Sequence, residues 1–108
     1  TEKRSGNCGE NLTWILYKTG VLKIDGSGKM YDYDKAPWYD DRASIKSIVI
    51  GENVTSIGCR AFEYCYNLQS VTIPNSVTSI GNSAFGYCYA LRDVTLGEGV
   101  TQIGSILL

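Results

Sequence analysis

An internal repeat of 23 residues constrains the fold of this chain more than any other feature. Residues 45–67 align with residues 68–90 without a gap, and 12 of the 23 positions are identical. A third copy begins at Leu91 and follows the pattern to Gly104. Repeats of this length are typical of solenoids, in which each repeat forms one coil that buries its apolar side chains against its neighbours. We therefore expect a stack of coils.

Apolar side chains recur at fixed positions of the repeat. The spacing L-x-x-V-x-I alternates and is rich in β-branched residues, so it predicts short strands that pair in parallel, ~4.8 Å apart, from coil to coil. The motif Ala-Phe-x-x-Cys predicts a short helical turn that closes each coil. A recurring glycine predicts a bend that needs an unusual backbone angle. These positions are Ile48/Val71/Val94, Ile50/Ile73/Leu96, Phe62/Phe85 and Gly58/Gly81/Gly104.

The first 44 residues do not follow the repeat. Two strand-like runs, 13–17 and 21–24, flank a Lys-Thr-Gly turn and predict a β-hairpin. The end coil of a solenoid exposes an apolar face and needs a cap, and Trp14 and Trp38 have the size to cover it. The predicted organisation is a capping segment at 1–44 and repeats at 45–108, divided into 45–67, 68–90 and an incomplete 91–108.

The run V-T-S-I-G-x-x-A-F-x-x-C, which follows L-x-S-V-T-I-P, resembles the BspA-like leucine-rich repeats over residues 45–104. The resemblance implies a leucine-rich-repeat fold, an α/β-type solenoid with parallel β-strands on one face and short helical turns on the other. The segments Cys-Gly-Glu-Asn-Leu-Thr-Trp and Ala-Pro-Trp-Tyr are similar to the N-terminal caps of this family, which implies an N-terminal β-hairpin cap. The third copy departs from the family pattern because it lacks the Ala-Phe-x-x-Cys half.

The same resemblance implies a secreted or cell-surface protein of bacteria, linked to adhesion, with no catalytic motif. The first residues contain no apolar signal region, so we expect a signal peptide to have been removed or to lie outside this chain. A net charge of −1 makes nucleic acid an unfavourable partner. The apolar runs are too short to insert in a membrane.

The absence of histidine argues against an enzyme. It removes the commonest general base and the commonest metal ligand, and the remaining carboxylates are isolated. Asp32, Asp34, Asp40 and Asp41 offer oxygen ligands that Ca²⁺ prefers, but the stretch lacks the glycine and the distal glutamate of an EF-hand loop. A solvated turn is the favoured interpretation. We predict no catalytic, cofactor-binding or metal site and no cofactor.

The four cysteines match no zinc-binding spacing. Cys65 and Cys88 occupy the same position of successive repeats, beside the phenylalanines, which predicts buried thiols. Cys59 stands where the next repeat has Asn82, so we expect it nearer to solvent. A disulfide between Cys59 and Cys8 remains an alternative, since connectivity cannot be derived from a sequence.

The candidate ligand-binding positions are tyrosines and threonines. Two tyrosine columns flank the recurring cysteine, so at least one of them should face outward, where aromatic side chains can anchor protein or sugar ligands. The favoured interpretation is nevertheless that these rings cover the edges of a small core. Small polar residues on the strand face complete the set, which is Tyr64, Tyr66, Tyr87, Tyr89, Thr72 and Thr95. The predicted function is a non-catalytic binding module for a host protein or glycan, and the alternative is a structural spacer with no ligand.

The C-terminal residues carry apolar side chains with little polar cover. They include Val100, Ile103, Ile106, Leu107 and Leu108. Because exposed apolar patches usually mark interfaces, the sequence predicts self-association through the C-terminal repeat face, with a folded-back tail as the alternative.

Overall fold

The chain forms a solenoid built mainly from short β-strands. A computed structural model describes residues 1–105. Its elements are β1 (Glu2–Asn7), β2 (Leu12–Tyr17), β3 (Val21–Gly26), β4 (Gly28–Lys29), a 3-10 helix (Tyr39–Ser44), β5 (Ser47–Ile50), β6 (Val54–Ile57), β7 (Ser70–Ile73), β8 (Ser79–Ile80), β9 (Asp93–Leu96) and β10 (Gln102–Ile103).

The larger sheet contains the strands that the repeat predicts. Its order is β1-β2-β3-β5-β7-β9, and β3, β5, β7 and β9 are parallel. Ile48 pairs with Val71, and Val71 pairs with Val94, so the sheet advances by one repeat per strand. The burial alternates as the strand pattern predicts, because Ile48 and Ile50 are buried while Val49 between them is 50% exposed. The predicted parallel solenoid is confirmed.

A second, smaller sheet has the order β4-β6-β8-β10 and is entirely parallel. β6 and β8 come from the Val-Thr-Ser-Ile run of the first two repeats, β10 comes from Val-Thr-Gln-Ile of the third, and β4 comes from the N-terminal segment. The sequence did not predict these runs as strands. Backbone hydrogen bonds continue from coil to coil, since the Thr78 amide donates to the Thr55 carbonyl at 2.9 Å and the Thr101 amide donates to the Thr78 carbonyl at 2.9 Å. The apolar side chains of the coils lie between the two sheets.

Aromatic rings stack through the centre of the core. Trp38, Phe62 and Phe85 lie in sequence, with centroid distances of 5.5 Å and 5.4 Å between neighbours. Trp14 meets Trp38 edge-on at 5.5 Å. The indole nitrogen of Trp38 donates to the Ala61 carbonyl at 2.8 Å. Trp38 therefore occupies, in the preceding coil, the position that phenylalanine holds in the repeats.

The predicted β-hairpin is present, because β2 and β3 pair antiparallel, and β1 adds a further antiparallel strand that the sequence did not predict. From β3 onward the segment stacks on the first repeat: β3 pairs with β5 and β4 pairs with β6, both in parallel. Residues 21–44 thus form a divergent coil that continues into the repeats, and the capping role of residues 1–44 stays a prediction.

The Ala-Phe-x-x-Cys segments consist of successive turns and contain no helix. The fold therefore has less helix than the sequence predicted. In residues 1–105 the helical structure is the 3-10 helix Tyr39–Ser44. The physical reason is local, since Arg60 and Tyr64 have positive φ angles of 55° and 64°. A residue in the left-handed region interrupts a right-handed helix.

The recurring glycine has a different role from the predicted one. Gly58, Gly81 and Gly104 do not have a positive φ, so the expectation of an unusual backbone angle is wrong. The reason for glycine is close packing between coils. A Cβ on Gly81 would lie 2.5 Å from the Cys59 nitrogen, and one on Gly104 would lie 2.5 Å from the Asn82 nitrogen.

Candidate binding surface

Five tyrosines form a continuous aromatic cluster beside the phenylalanine stack, which we call the tyrosine ladder: Tyr39, Tyr64, Tyr66, Tyr87 and Tyr89. Tyr64 and Tyr87 stack with centroids 4.7 Å apart and planes 5° apart. Tyr66 and Tyr89 stack at 5.8 Å and 11°. The spacing of successive coils, ~4.8 Å, suits such stacking, so equivalent rings of adjacent repeats meet face to face.

Edge-on contacts join the two columns of the tyrosine ladder. Tyr64 meets Tyr66 at 5.9 Å, and Tyr87 meets Tyr89 at 6.2 Å. The rings are substantially exposed, with accessible fractions of 39% for Tyr66, 46% for Tyr87 and 75% for Tyr89. Tyr64 is half-buried beneath them. The predicted outward-facing pair is therefore Tyr66 and Tyr89, together with Tyr87.

The backbone at two rungs of the ladder adopts a conformation that is unusual for tyrosine. Tyr64 and Tyr87 have φ angles of 64° and 58°. Bulky residues rarely adopt a positive φ, because the Cβ then approaches the backbone carbonyl. A hydrogen bond from the Tyr64 amide to the Gly86 carbonyl, at 2.8 Å, fixes this turn against the next coil.

Cationic groups lie at one end of the ladder. The guanidinium of Arg42 lies 4.1 Å from the centre of the Tyr39 ring, and the Lys35 ammonium lies 5.3 Å from it. Tyr39 in turn contacts Tyr64 edge-on at 6.5 Å. Loss of solvent, then the neighbouring Tyr87 and Glu63, raises the pKa of Tyr64. A phenol is already protonated at neutral pH at its ordinary pKa of ~10, so Tyr64 can donate a hydrogen bond there.

Thr72 and Thr95 lie on a different surface. They are paired across β7 and β9 and are exposed on the larger sheet, in line with Val49 and Lys23. Here they border a shallow, open depression of about 800 Å³, whose lining contains no tyrosine among the described residues. The six predicted binding residues thus divide into the tyrosine ladder and a sheet face of small side chains.

The four cysteines are free thiols. Cys65 is buried as predicted, Cys88 is only partly buried, and Cys59 is partly exposed. The alternative of a bond between Cys59 and Cys8 is not realised, and Cys8 lies fully inside the core. Burial raises the pKa of Cys8 to about 12, so this thiol is unreactive at neutral pH.

The acidic residues near the 3-10 helix are dispersed among separate partners. Asp41 pairs with Lys3 at 3.1 Å and with Arg4 at 2.6 Å. Asp34 pairs with Arg60 at 3.3 Å. Within residues 1–105, no three carboxylate, thiol or imidazole groups converge on a point that could hold a metal ion.

The turn-based solenoid, the parallel sheets and the 23-residue period define a leucine-rich-repeat protein. Residues 37–107 match the family described as "BspA type Leucine rich repeat region (6 copies)", and the chain belongs to this family. No curated protein matches the chain significantly. No helix among residues 1–105 has the length and apolar character to cross a membrane.

Two solved structures are similar to this chain. A leucine-rich repeat protein from Eubacterium ventriosum shares 38% identity with a TM-score of 0.85, over 93% of this chain and 27% of its own. A leucine rich cell surface protein from Faecalibacterium prausnitzii shares the fold, with a TM-score of 0.57 and 22% identity over 97% of this chain and 34% of its own. This chain therefore spans about a quarter to a third of the length of these bacterial proteins.

Sequence reasoning missed Tyr39 and the strained backbone. Tyr39 follows Trp38, and aligning Trp38 with Phe62 would have placed Tyr39 near the tyrosine columns. The positive φ at Tyr64 and Tyr87 had no signal, since glycine and asparagine are the residues that usually indicate it.

Proposed function

We propose that this chain is a non-catalytic binding module of a secreted or cell-surface bacterial protein, and that the tyrosine ladder contacts a protein ligand of the host. The observation that carries the proposal is the ladder itself, in which exposed tyrosines stack across successive coils. Tyrosine is among the residues most enriched in the energetically dominant part of protein interfaces.

The exposure of the rings argues against a purely structural role. A ring that only covers the edge of the core should be largely buried, as Tyr64 is in part. Tyr89 is 75% exposed and leaves most of its apolar surface in water. Burying such a ring against a partner is favourable, with about 25 cal/mol gained for each Å² of apolar surface removed from water.

The strained backbone supports the same interpretation. Tyrosine in the left-handed region costs roughly 1–2 kcal/mol, whereas glycine adopts it freely. Both Tyr64 and Tyr87 occupy that region. A turn selected only for stability would carry glycine, so tyrosine at both positions favours a role for the ring. Strained residues of this kind cluster at ligand-binding sites.

The arrangement of the rings favours a protein over a glycan. Sugars bind to the open face of an aromatic ring, but in the tyrosine ladder one face of Tyr64, Tyr66 and Tyr87 is covered by a stacked ring. The ring edges and hydroxyl groups remain, and these are the parts of tyrosine that serve protein contacts in antibody-like binding sites.

The family and the neighbours support the proposed cellular setting. The Faecalibacterium prausnitzii protein of the same fold is described as a cell surface protein. A repeat module at the surface of a bacterium would reach host proteins, which is the basis for the adhesive part of the proposal. Function still depends on the site, because one fold supports many functions.

The sheet face favours the alternative, a spacer with no ligand. Ser70, Thr72 and Thr95 project from it, and such small side chains provide few strong contacts. We therefore assign the binding role to the tyrosine ladder and no energetic role to Thr72 and Thr95.

The proposal is tested by presenting the purified chain to two arrays, one of host extracellular-matrix and cell-surface proteins and one of host glycans. We expect reproducible binding to proteins. Binding to glycans alone would retain the binding module but overturn the class of partner. Binding to neither array would favour the spacer.

A further inference from the structure

Two thiols from successive coils meet beside the tyrosine ladder. The Cys88 thiol donates to the Phe62 carbonyl with 3.2 Å between sulfur and oxygen, and the Cys65 amide approaches the same oxygen at 3.4 Å. The two thiols also act on each other, since each shifts the pKa of the other. The Cys88 side chain and the Cys65 backbone therefore meet at one carbonyl, Phe62, at the interface between coils.

The surrounding backbone holds the two cysteines in register. The Phe62 amide donates to the Ala84 carbonyl at 2.8 Å, and the Tyr64 amide donates to the Gly86 carbonyl at 2.8 Å. Cys65 and Cys88 lie in turns outside the strands, but these turns repeat with the spacing of successive coils, which is ~4.8 Å between parallel strands. Disulfides form between Cα atoms that are roughly 4.4–6.8 Å apart. The coil spacing is thus compatible with a covalent bond between Cys65 and Cys88.

We propose that Cys65 and Cys88 are a covalent modification site, at which exchange with an external disulfide such as oxidised glutathione forms a disulfide between successive coils. The inference does not depend on the proposed function, since it concerns the core side of the turn and not the exposed rings.

The reaction has two exchange steps. In the first, the Cys88 thiolate attacks the external disulfide: a bond forms from Cys88 to one sulfur, the external S–S bond breaks, and the other sulfur leaves as a thiolate. In the second, the Cys65 thiolate attacks the Cys88 sulfur, and the second external thiolate leaves. Two protein thiols are oxidised, one external disulfide is reduced to two thiols, and the two protons from the cysteines pass to the leaving thiolates.

The environments of the two thiols support this order. Cys88 is partly exposed, and a hydrogen bond from the Cys65 thiol lowers its pKa, so the accessible cysteine is also the better thiolate. The hydrogen bond to Cys88, followed by burial, raises the pKa of Cys65. Cys65 therefore acts second, when Cys88 already carries the leaving group and is directly adjacent.

The other two cysteines have no such partner. The neighbouring coil carries Asn82 at the position of Cys59, and Cys59 lies beside Asp32, whose carboxylate accepts a hydrogen bond from its amide at 2.8 Å. Cys8 is fully buried in the core. The bond should therefore form only within the column shared by Cys65 and Cys88.

The experiment is to incubate the folded, reduced protein with excess oxidised glutathione, remove the glutathione, unfold the protein in guanidinium chloride that contains N-ethylmaleimide so that every remaining thiol is blocked, and digest with trypsin. The peptide of residues 61–92 contains both cysteines and no internal lysine or arginine. We expect this peptide to be unblocked at both cysteines, to have lost two hydrogens, and to regain two reactive thiols after reduction with dithiothreitol.

Two variants sharpen the test. Cys88→Ser should leave Cys65 blocked by maleimide, whereas Cys59→Ser should form the bond as the wild type does. Oxidised wild type should also melt at a higher temperature than reduced protein, because the bond closes a loop of the unfolded chain. The proposal is overturned if both cysteines of the wild-type peptide are blocked, or if glutathione remains attached to Cys88 without closing the bond.

Discussion

At the scale of single residues, the tyrosine ladder depends on two backbone positions that glycine would fill more easily. Tyr64 and Tyr87 have φ angles of 64° and 58°, and their rings stack at 4.7 Å. The stacking and the hydrogen bond that the Tyr64 amide donates to the Gly86 carbonyl offset the strain of the backbone. The ring of each of these residues therefore stabilises the fold, whereas the backbone conformation destabilises it. A pair of substitutions can separate the two contributions.

Tyr87→Gly should be more stable than Tyr87→Ala. Both substitutions remove the ring, but only glycine adopts a φ of 58° without a Cβ, so we expect a difference of about 1 kcal/mol in the free energy of unfolding. Urea denaturation measures it. The same pair at Tyr89, where φ is not positive, is the control and should favour alanine. Equal stability of the two Tyr87 variants would contradict the strain.

At the scale of the elements, close backbone packing fixes each coil to the next. Ion pairs fix the N-terminal strand β1 to the 3-10 helix. The Gly58, Gly81 and Gly104 column allows neighbouring backbones to approach more closely than a Cβ would permit. At the other end of the larger sheet, β1 is an exposed edge strand tied by Lys3 and Arg4 to Asp41 of the 3-10 helix. Charged residues on an edge strand also discourage pairing with other chains.

Gly81→Ala should separate two coils. The added Cβ would lie 2.5 Å from the Cys59 nitrogen, and both are backbone-bound atoms that cannot rotate away. We expect a loss of about 1–3 kcal/mol or more in the free energy of unfolding, as for overpacked cores. Thermal denaturation measures the loss. Gly86→Ala is a matched control, because its nearest neighbour would be 3.4 Å away, and a similar loss in both variants would refute the packing argument.

Asp41→Asn should destabilise the protein at neutral pH and have little effect in acid. Partial burial opposes ionisation of Asp41, but hydrogen bonds from Lys3 and Arg4 outweigh it and lower the pKa below its usual range. A carboxyl whose pKa is lowered on folding contributes stability above its unfolded pKa, about 3.9, and loses that contribution as the pH falls through the folded value.

We therefore expect Asp41→Asn to reduce stability by roughly 0.5–1.5 kcal/mol at pH 7, since both cations are largely solvated. The difference from wild type should vanish in urea titrations near pH 2. The control is Asp34→Asn, whose side chain is fully exposed in its pair with Arg60 and should have no measurable effect. A difference that persists unchanged at pH 2 would show that charge is not the cause.

At the scale of the whole molecule, the fold was largely predictable and the candidate binding surface only in part. Period and β-branched alternation predicted the parallel strands at 47–50, 70–73 and 93–96. The second sheet was not predicted, because strands as short as Ser79–Ile80 show too few alternations to be recognised in a sequence. The pairing of such strands also depends on the neighbouring coil. The divergent coil at 21–44 was not predicted, because Trp38 stands where the repeats have phenylalanine and because its spacing to the next strand differs from that of the repeats.

The candidate site was predicted as a list of residues and not as a geometry. Tyrosines at a fixed place in the repeat predicted stacked columns, and these are present. Thr72 and Thr95 lie on a separate face. The sequence could not show this, because alternation along a strand indicates which residues are exposed but not which exposed residues share a surface. The strain at Tyr87 arises from the turn geometry, which residue type does not reveal in this case.

The molecule is also expected to associate through its last coil. Val94, Leu96 and Ile103 are 39%, 46% and 49% exposed, and no strand within residues 1–105 pairs with the outer edge of β9. The predicted contributions of Ile106, Leu107 and Leu108 fall outside the described residues. We expect a dimer whose population rises with concentration, measured by light scattering on a sizing column, and weakened by Leu96→Lys. A monomer at every concentration would contradict the prediction and favour the folded-back tail.

The central claim is that the tyrosine ladder, and not the sheet face, is the binding surface. The most direct measurement compares three proteins: the wild type, the double variant Tyr66→Ala/Tyr89→Ala and the double variant Thr72→Ala/Thr95→Ala. Their affinity is measured for the host proteins that the wild type captures on the array. Melting curves check that all three proteins are folded. We expect the tyrosine variant to lose affinity by at least about tenfold, because truncating two interface hot spots costs more than about 1.4 kcal/mol. The affinity of the threonine variant should be unchanged. Unchanged affinity for the folded tyrosine variant, with a loss for the threonine variant, would contradict it.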